Sequence, residues 1–472
     1  MGCNKSRFYV DVMCLNEEVT GSCHLCVVKT PDGETIKFIV DCGLFQETAY
    51  RKYNESFPFN PAELDFALIT HNHTDHIGRL SLLSKLGFKN TIYTTELTKI
   101  LMPASLRDSY GIAQRDAKRD DVKPLYDEED LNNTLELIKG FPYFTEIQVH
   151  ENVKVTFLDN GHLPGAALIL VKISYYGEED INMLFTGDYS KHSAFFDVQP
   201  IPKYVFDIPL TVIQEATYAT TYTDSILKVF EENILKAVKE GKTIVIPVFA
   251  QGRCQELMLK LKNMQDSGML DVNIPIFLDG SLCMTYTAIY EGFSYLFKDE
   301  AKKFCPANFK YVDKKNRAAL LVTTTCKIIL TSSGMGSHGP APMYIGNFIS
   351  SEKALVHFVG YPAMRTLSRK LKDAEKGEEV KVGSLMKSKI CDIEYTTEFS
   401  SHAKLDEMLD FLKQFSNIKL LLVNHGEYEC KDNFAKEAVK NDLAKGVAVE
   451  SRATFHRIGR YGLLKEITTK FS

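Results

Sequence analysis

Apolar and polar positions change their period several times along this chain, and each change marks an element. Short apolar runs over residues 8–13, 23–29 and 35–41 read as strands, and Pro31-Asp32-Gly33 predicts a hairpin turn between the last two. Leu64 to Ile69 is another apolar run, and a helical pattern over 77–86 follows it and closes at Gly87. Residues 103–140 are charged and helical without alternation, which predicts a solvated surface excursion with Arg115 to Asp121 on an exposed face. Strands resume at 153–158 and 182–185. Short buried runs at 211–213, 243–246, 274–278, 328–331 and 354–359 then alternate with helical stretches at 225–239, 255–264 and 284–297. Asp224 is the expected N-cap of the first of these helices. Such alternation predicts a parallel, doubly wound α/β module. The charged, glycine-broken stretch 372–381 reads as a surface connection out of it. The earlier style returns with a strand at 390–396, a helix at 405–415, a strand at 419–423, a helix at 433–443 and a hairpin-like end.

Bulk properties narrow the classes. A chain of 472 residues exceeds one ordinary core and implies roughly two to four domains. Its net charge of −5 argues against a generally basic nucleic-acid coat, so any polyanion must be held by local charge, backbone amides or metal ions. No run approaches the ~18 apolar residues of a membrane span, and there is no apolar signal core. The eleven cysteines are scattered and mostly apolar in context, which fits reduced, buried thiols. Cys23-His24-Leu25-Cys26 has CxxC spacing but no second pair, so a zinc or redox role is disfavoured. Met1 to Ser6 fits the myristoylation pattern at Gly2, with Cys3 beside it. Chance is the better reading, because a strand begins near Phe8.

The chemistry concentrates where strands end. Thr70-His71-Asn72-His73-Thr74-Asp75-His76 puts four metal-ligand side chains directly after an apolar strand. His71 and His73 can point the same way on extended backbone, while Asp75 and His76 follow where the chain turns, so the stretch reads as half of a two-metal centre. Asp41, His162, Asp188, Glu215, His402 and His425 each stand at or just past the exit of a predicted strand. Any one of them alone could be an ordinary turn residue. Their recurrence points to a shared site.

These residues carry a family resemblance. The series Asp41, His71-x-His73-x-Asp75-His76, His162 and Asp188 resembles the four motifs of the metallo-β-lactamase superfamily. Glu215, His402 and His425-Gly426-Glu427 resemble the three later motifs of its β-CASP branch. Glu18 to Ser22, Ile246 to Arg253, Ser332 to Met335 and Val359 to Tyr361 belong to the same pattern. The resemblance implies an αββα metallo-β-lactamase fold with an inserted parallel-sheet β-CASP domain. In this chain the expected bounds are 1–207 for the first part, 208–389 for the insertion and 390–472 for the returning segment.

It also implies two zinc ions, one held by His71, His73, His162 and Asp188, the other by Asp75, His76, His425 and a shared Asp188. Manganese stays open as the metal, because it can occupy carboxylate-rich sites. Asp41 would support a ligand from behind, and Asp75, Glu215 and His402 form the implied catalytic set, with His402 as general acid and Glu215 holding its imidazole. Ser332, Ser333 and Gly334 would offer amides to a phosphate, while Arg253, Arg365 and Arg369 could meet RNA or form ordinary ion pairs. Two positions depart from the family. His338 replaces a glycine after the Ser-Gly-Met segment, and Lys404 stands where an acidic residue usually follows the motif histidine.

The implied activity is zinc-dependent hydrolysis of RNA phosphodiester bonds by water activated between the two metals, with endonucleolytic cutting favoured. A non-catalytic scaffold of an RNA-processing complex and a small-ester metallo-hydrolase are the alternatives. RNA is the expected partner, a second copy or a processing complex remains open beside it, no membrane is expected, and the expected compartment is the cytoplasm, or the nucleus in a eukaryote.

Overall fold

The structure is a computed structural model and describes residues 8–468 apart from 48, 120, 324, 361, 364 and 453. The lipidation pattern at Gly2 and Cys3, and Tyr361 of the Val359 to Tyr361 motif, lie outside the described residues. The chain divides into two units, residues 1–193, 197–223 and 401–472 in one, and 194–196 and 224–400 in the other.

The first unit contains an eight-stranded and a seven-stranded sheet. Their facing sides meet through alternate residues of each strand. From Ala167–Ile173, Ala167, Ile169, Val171 and Ile173 point into the shared core, whereas Leu168 and Leu170 point the other way. The opposing sheet supplies Val10, Val12, Ile36, Phe38 and Val40 to the same core, as the two-residue strand period requires. The outer face of one sheet is covered by helices that contribute Ile77, Leu80, Leu83, Met102, Leu106 and Leu131. The outer face of the other is covered by Leu405, Met408, Leu412, Phe434 and Ala438. Four layers result, helix, sheet, sheet, helix.

The region expected as a solvated excursion is therefore only half so. Glu96–Arg119 and Glu128–Leu137 are helices, and within the expected range Leu106, Ala117, Tyr126 and Leu131 are buried. Their apolar residues are few and spaced by charges, which hid the buried face from a periodicity reading.

Parallel pairing sets where the strands deliver their side chains. Thr35–Val40 runs parallel to Phe66–Leu68, and Ile181–Phe185, Leu210–Glu215 and Ile418–Asn424 are mutually parallel. Val153–Asp159 is antiparallel to Ala167–Ile173, which is antiparallel to Ile181–Phe185, so it shares their direction. Within each sheet, the C-terminal ends of these strands consequently open on one edge.

In the second unit, six strands form an all-parallel sheet, in the order Phe309–Tyr311, Ile276–Asp279, Lys327–Thr331, Thr243–Pro247, Ala354–Val359 and Asp392–Thr396. Helical crossovers join them, as parallel pairing demands. The first helix begins at Phe230 with Val229 as its cap, five residues after the Ser225 start expected from Asp224. The stretch 372–381 leads into a small hairpin, Glu379–Val382 with Leu385–Ser388.

Both expected domain boundaries move. Leu210–Glu215 was assigned to the insertion, but it pairs between Ile181–Phe185 and Ile418–Asn424, so Glu215 belongs to the first unit. Asp392–Thr396 was assigned to the returning segment, but it extends the six-stranded sheet beside Ala354–Val359. Each is a short strand whose allegiance is set by a distant partner, which nothing local encodes. No helix among the described residues is long and apolar enough to cross a membrane.

Candidate metal centre

Two ligand groups form at the edge of the first unit where the parallel strands end. His71, His73, His162 and Asp188 make one group and Asp75, His76 and His425 the other, the ligand atoms within each lying within 4.8 Å of one another. Asp188 stands between them. Its Oδ2 is 3.5 Å from His71 Nε2 and 3.8 Å from His162 Nε2, and its Oδ1 is 3.3 Å from His76 Nε2 and 3.4 Å from His425 Nδ1. His71, His76, His162, Asp188 and His425 are buried, while His73 and Asp75 are partly exposed.

The contacts among these atoms fit a cation better than they fit hydrogen bonding. His73 Nδ1 is 3.1 Å from His71 Nε2 and 3.2 Å from His162 Nε2, and one nitrogen cannot donate to both. His76 Nε2 and His425 Nε2 also face each other at 3.1 Å. Asp188 Oδ1 is buried and accepts no hydrogen bond, an expensive arrangement for a carboxylate unless a cation meets it.

Titration points in the same direction. Burial pushes His71 and His162 well below the ordinary imidazole value and His73 to about 4, leaving neutral rings with lone pairs to give. Burial opposes the charge on Asp188, but the surrounding His425 and His76 outweigh it and hold the carboxyl well below its usual range. For Asp75 the hydrogen bond with His425 and the neighbouring His76 likewise overcome burial and hold it at about 2. His76 and His425 are raised against burial, chiefly by Asp188, with Asp41 acting on His76 and Asp75 on His425. The pocket concentrates negative charge and imidazole donors, a donor set suited to zinc and similar divalent ions.

Four of the five rings have a further partner in the protein. His76 Nδ1 meets Asp41 Oδ2 at 2.7 Å, and the same carboxylate accepts from the Thr70 amide and hydroxyl, each at 2.8 Å. His71 Nδ1 is 3.0 Å from Thr70 Oγ1, His162 Nδ1 is 2.7 Å from the Ser401 carbonyl, and His425 Nδ1 is 3.1 Å from Thr217 Oγ1. Such partners fix ring orientation and tautomer. The sequence reading singled out Asp41 for this work. It missed Thr70, Thr217 and Ser401, whose only local signal is that each adjoins or closely follows a residue already chosen.

The ligand loop is tied to its neighbours by its backbone. Ser22 N donates to Asp75 O at 2.9 Å, Cys42 N to His76 O at 2.7 Å and Gly43 N to Ser22 O at 2.8 Å. Asn424, which precedes His425, is 2.8 Å from His24 Nε2, itself 2.9 Å from Glu450 Oε2. His24 thus joins a buried polar network, while Cys23 and Cys26 of the CxxC spacing are buried among apolar neighbours.

Beside the first group, His402 Nδ1 is 3.1 Å from Glu215 Oε2 and 3.3 Å from Oε1, and its Nε2 is 4.0 Å from Asp188 Oδ2. Glu215 is buried and also accepts from the Tyr189 amide at 2.9 Å. The remaining candidates lie in the second unit. Arg253 pairs with Glu256 at 3.0 Å and Arg369 with Asp373 at 2.8 Å, each on its own helix. Ser332, Ser333 and Gly334 follow the strand Lys327–Thr331, and Ser333 Oγ accepts from the His338 amide at 3.2 Å.

A family model described as the metallo-beta-lactamase superfamily matches residues 21–198, one described as a Beta-Casp domain matches 254–371, and one described as a Zn-dependent metallo-hydrolase RNA specificity domain matches 389–447. The chain is 29% identical to the transcription termination factor FttA of Methanocaldococcus jannaschii over 443 residues, 88% of this chain and 66% of that protein. It is 27% identical to ribonuclease TTHA0252 of Thermus thermophilus, over 87% of this chain and 91% of that one. It is 29% identical to endoribonuclease YSH1 of Candida glabrata, over 87% of this chain and 53% of that protein. The chain therefore spans just under two thirds of the FttA relative and about half of the YSH1 relative. With three family models matched in order along it, this chain belongs to the β-CASP branch of the metallo-β-lactamase superfamily.

Proposed function

We propose that the protein is a zinc-dependent ribonuclease that hydrolyses phosphodiester bonds within RNA. The observation that carries this reading is His402, with Nδ1 on Glu215 and Nε2 4.0 Å from Asp188, the carboxylate that stands between the two ligand groups. Hydrolysis of an activated small ester needs no such acid, because its leaving group departs unprotonated. A ribose oxygen is a poor leaving group and does need one. Relatives named as ribonucleases support the same choice. A scaffold subunit would have no use for a full ligand set, and every ligand residue is present.

His71, His73, His162 and Asp188 would hold one zinc and Asp75, His76, His425 and Asp188 the other. Divalent ions there supply a water of lowered pKa and a Lewis-acid hold on the phosphate oxygens. The chain's residues do the rest. Asp41, Thr70 and Thr217 keep three of the rings aimed inward. His402 donates its Nε2 proton to the leaving ribose oxygen as the phosphorus–oxygen bond breaks. Glu215, on Nδ1, keeps the ring turned and balances the imidazolium charge before the proton leaves. In the second unit, the Ser332 and Ser333 amides already donate to the Asp279 and His338 carbonyl oxygens, so the Gly334 amide is the one of this turn left to meet a backbone phosphate. Arg253 and Arg369 could reach RNA by exchanging their carboxylate partners.

The test is direct. Bound metal is quantified, and wild type, Asp75→Ala and His402→Ala are each incubated with end-labelled RNA, matching DNA and an activated ester. Wild type should cut RNA internally, and His402→Ala should cut it at least about a hundredfold more slowly with its metal retained. A protein that holds both metals and cuts no RNA sinks the reading.

A further inference from the structure

Lys404 fits poorly where it stands. It is the N-terminal cap of the helix Leu405–Leu412, a place that favours Ser, Thr, Asp or Asn because their oxygens accept from first-turn amides. An ammonium has three donors and no acceptor, so it closes none of those amides, and it puts a positive charge at the positive end of the helix dipole. The helix start is closed from the other side, by Glu407 Oε2 accepting from the Lys404 amide at 3.0 Å. Lys404 is also only 3% exposed, so its charge has given up water. A residue that breaks local rules this way is held for something else.

What Lys404 supplies is a tie between the loop that carries His402 and the loop that leaves the strand end at Glu215. Its Nζ donates to the His402 carbonyl oxygen at 2.8 Å and lies 4.4 Å from the centre of the Tyr218 ring, within cation–π range. Tyr218 closely follows Glu215 along the chain, and its backbone bridges to Lys404. The Tyr218 ring centre is 5.7 Å from that of His402. One ammonium thus grips the backbone of the first loop and the aromatic face of the second.

We propose that Lys404 is a positioning residue for His402, fixing the direction in which the imidazole Nε2 faces Asp188. The inference rests on His402 being the general acid. It concerns a side chain without substrate contact that acts through the loop it pins, where a displacement of about 1 Å can cost a hundredfold in rate.

Three variants separate this from a merely structural lysine. Lys404→Met keeps the apolar stem and removes the donors, Lys404→Arg keeps charge and donors, and Lys404→Asn provides the missing helix cap. With bound metal measured in each, Lys404→Met should lose about tenfold in kcat on RNA, with KM within about twofold of wild type. Cleavage of bis(4-nitrophenyl) phosphate, whose leaving group needs no proton, should fall far less. Lys404→Arg should recover most of the loss. Lys404→Asn should melt at or above the wild-type temperature yet cut RNA as slowly as Lys404→Met. RNA rates within twofold of wild type in both Lys404→Met and Lys404→Asn overturn the proposal, as does a parallel loss on the two substrates. A readout without turnover keeps it apart from the ribonuclease reading. The 15N shift and line width of the His402 ring should change in Lys404→Met and return in Lys404→Arg, whatever the wild type cleaves. An unchanged His402 signal counts against the tie even if RNA is the substrate.

Discussion

Asp41 is held in a left-handed backbone conformation, φ 62°, just past the strand Thr35–Val40. That is a costly place for a residue with a Cβ, and it is repaid by three hydrogen bonds that bind Thr70 and His76 together. Asp41→Asn keeps the shape but turns one acceptor into a donor facing His76 Nδ1. Metal affinity should fall roughly 10- to 100-fold, read by chelator competition, with the fold intact by circular dichroism. A second residue-scale prediction concerns His357, fully buried on the strand Ala354–Val359, where Asn233 Nδ2 donates to Nε2 at 3.2 Å. Burial lowers its pKa from 6.5 to about 4. The unfolded chain therefore takes up this proton first as the pH falls. The stabilisation is complete above pH 6.5 and is lost progressively towards pH 4, on the order of 3 kcal/mol at most. Urea melts between pH 7.5 and 4.5 should show a shallower acid loss in His357→Leu than in wild type.

Among the elements, the ligand loop after Phe66–Leu68 owes its shape to a neighbour it barely precedes in space. A Cβ on Gly43 would lie 1.5 Å from the Asp75 carbonyl oxygen, far inside van der Waals contact. Gly43→Ala must therefore push the loop that bears Asp75 and His76. The expected result is loss of metal from the Asp75, His76, His425 group, measured as stoichiometry by atomic emission, while far-UV dichroism stays near wild type. Metal content equal to wild type would show that the loop can give. At this scale the sequence was readable where a signal is local. The strands Tyr9–Cys14, His24–Lys29 and Thr35–Val40 and their hairpin turn followed from alternation and Pro31-Asp32-Gly33. The strands Glu146–His150 and Ala167–Ile173 did not enter the reading. The first is only five residues long, with polar Glu146, Gln148 and His150 alternating with Ile147 and Val149, and the second is apolar on both faces because helices cover one side and the other sheet the opposite side. The buried undersides of Glu96–Arg119 and Glu128–Leu137 were missed for the converse reason, too few apolar residues amid many charges.

For the whole molecule, metal binding and folding should be linked. The ligands come from the 71–76 loop, from the exits of Val153–Asp159 and Ile181–Phe185, and from His425, far along the chain. An ion held by all of them binds the folded state and not the unfolded one. At free metal a hundred times Kd, the stabilisation is about 2.7 kcal/mol for a single site. Stripping with chelator should lower the thermal midpoint, and added zinc should restore it in a concentration-dependent way; an unchanged midpoint would mean that the ligand groups hold no metal. Neighbouring residues alone carried the candidate ligands, their places at strand exits and the family pattern, because turn chemistry and strand ends are written locally. Tertiary structure alone decided which strands are partners, and so that Glu215 belongs with His402 in the first unit and Asp392–Thr396 with the second. It alone showed Asp188 standing between two ligand groups and Lys404 gripping the His402 loop. Those are contacts between residues tens to hundreds apart in the chain, and their cause is backbone pairing and packing that no local period records.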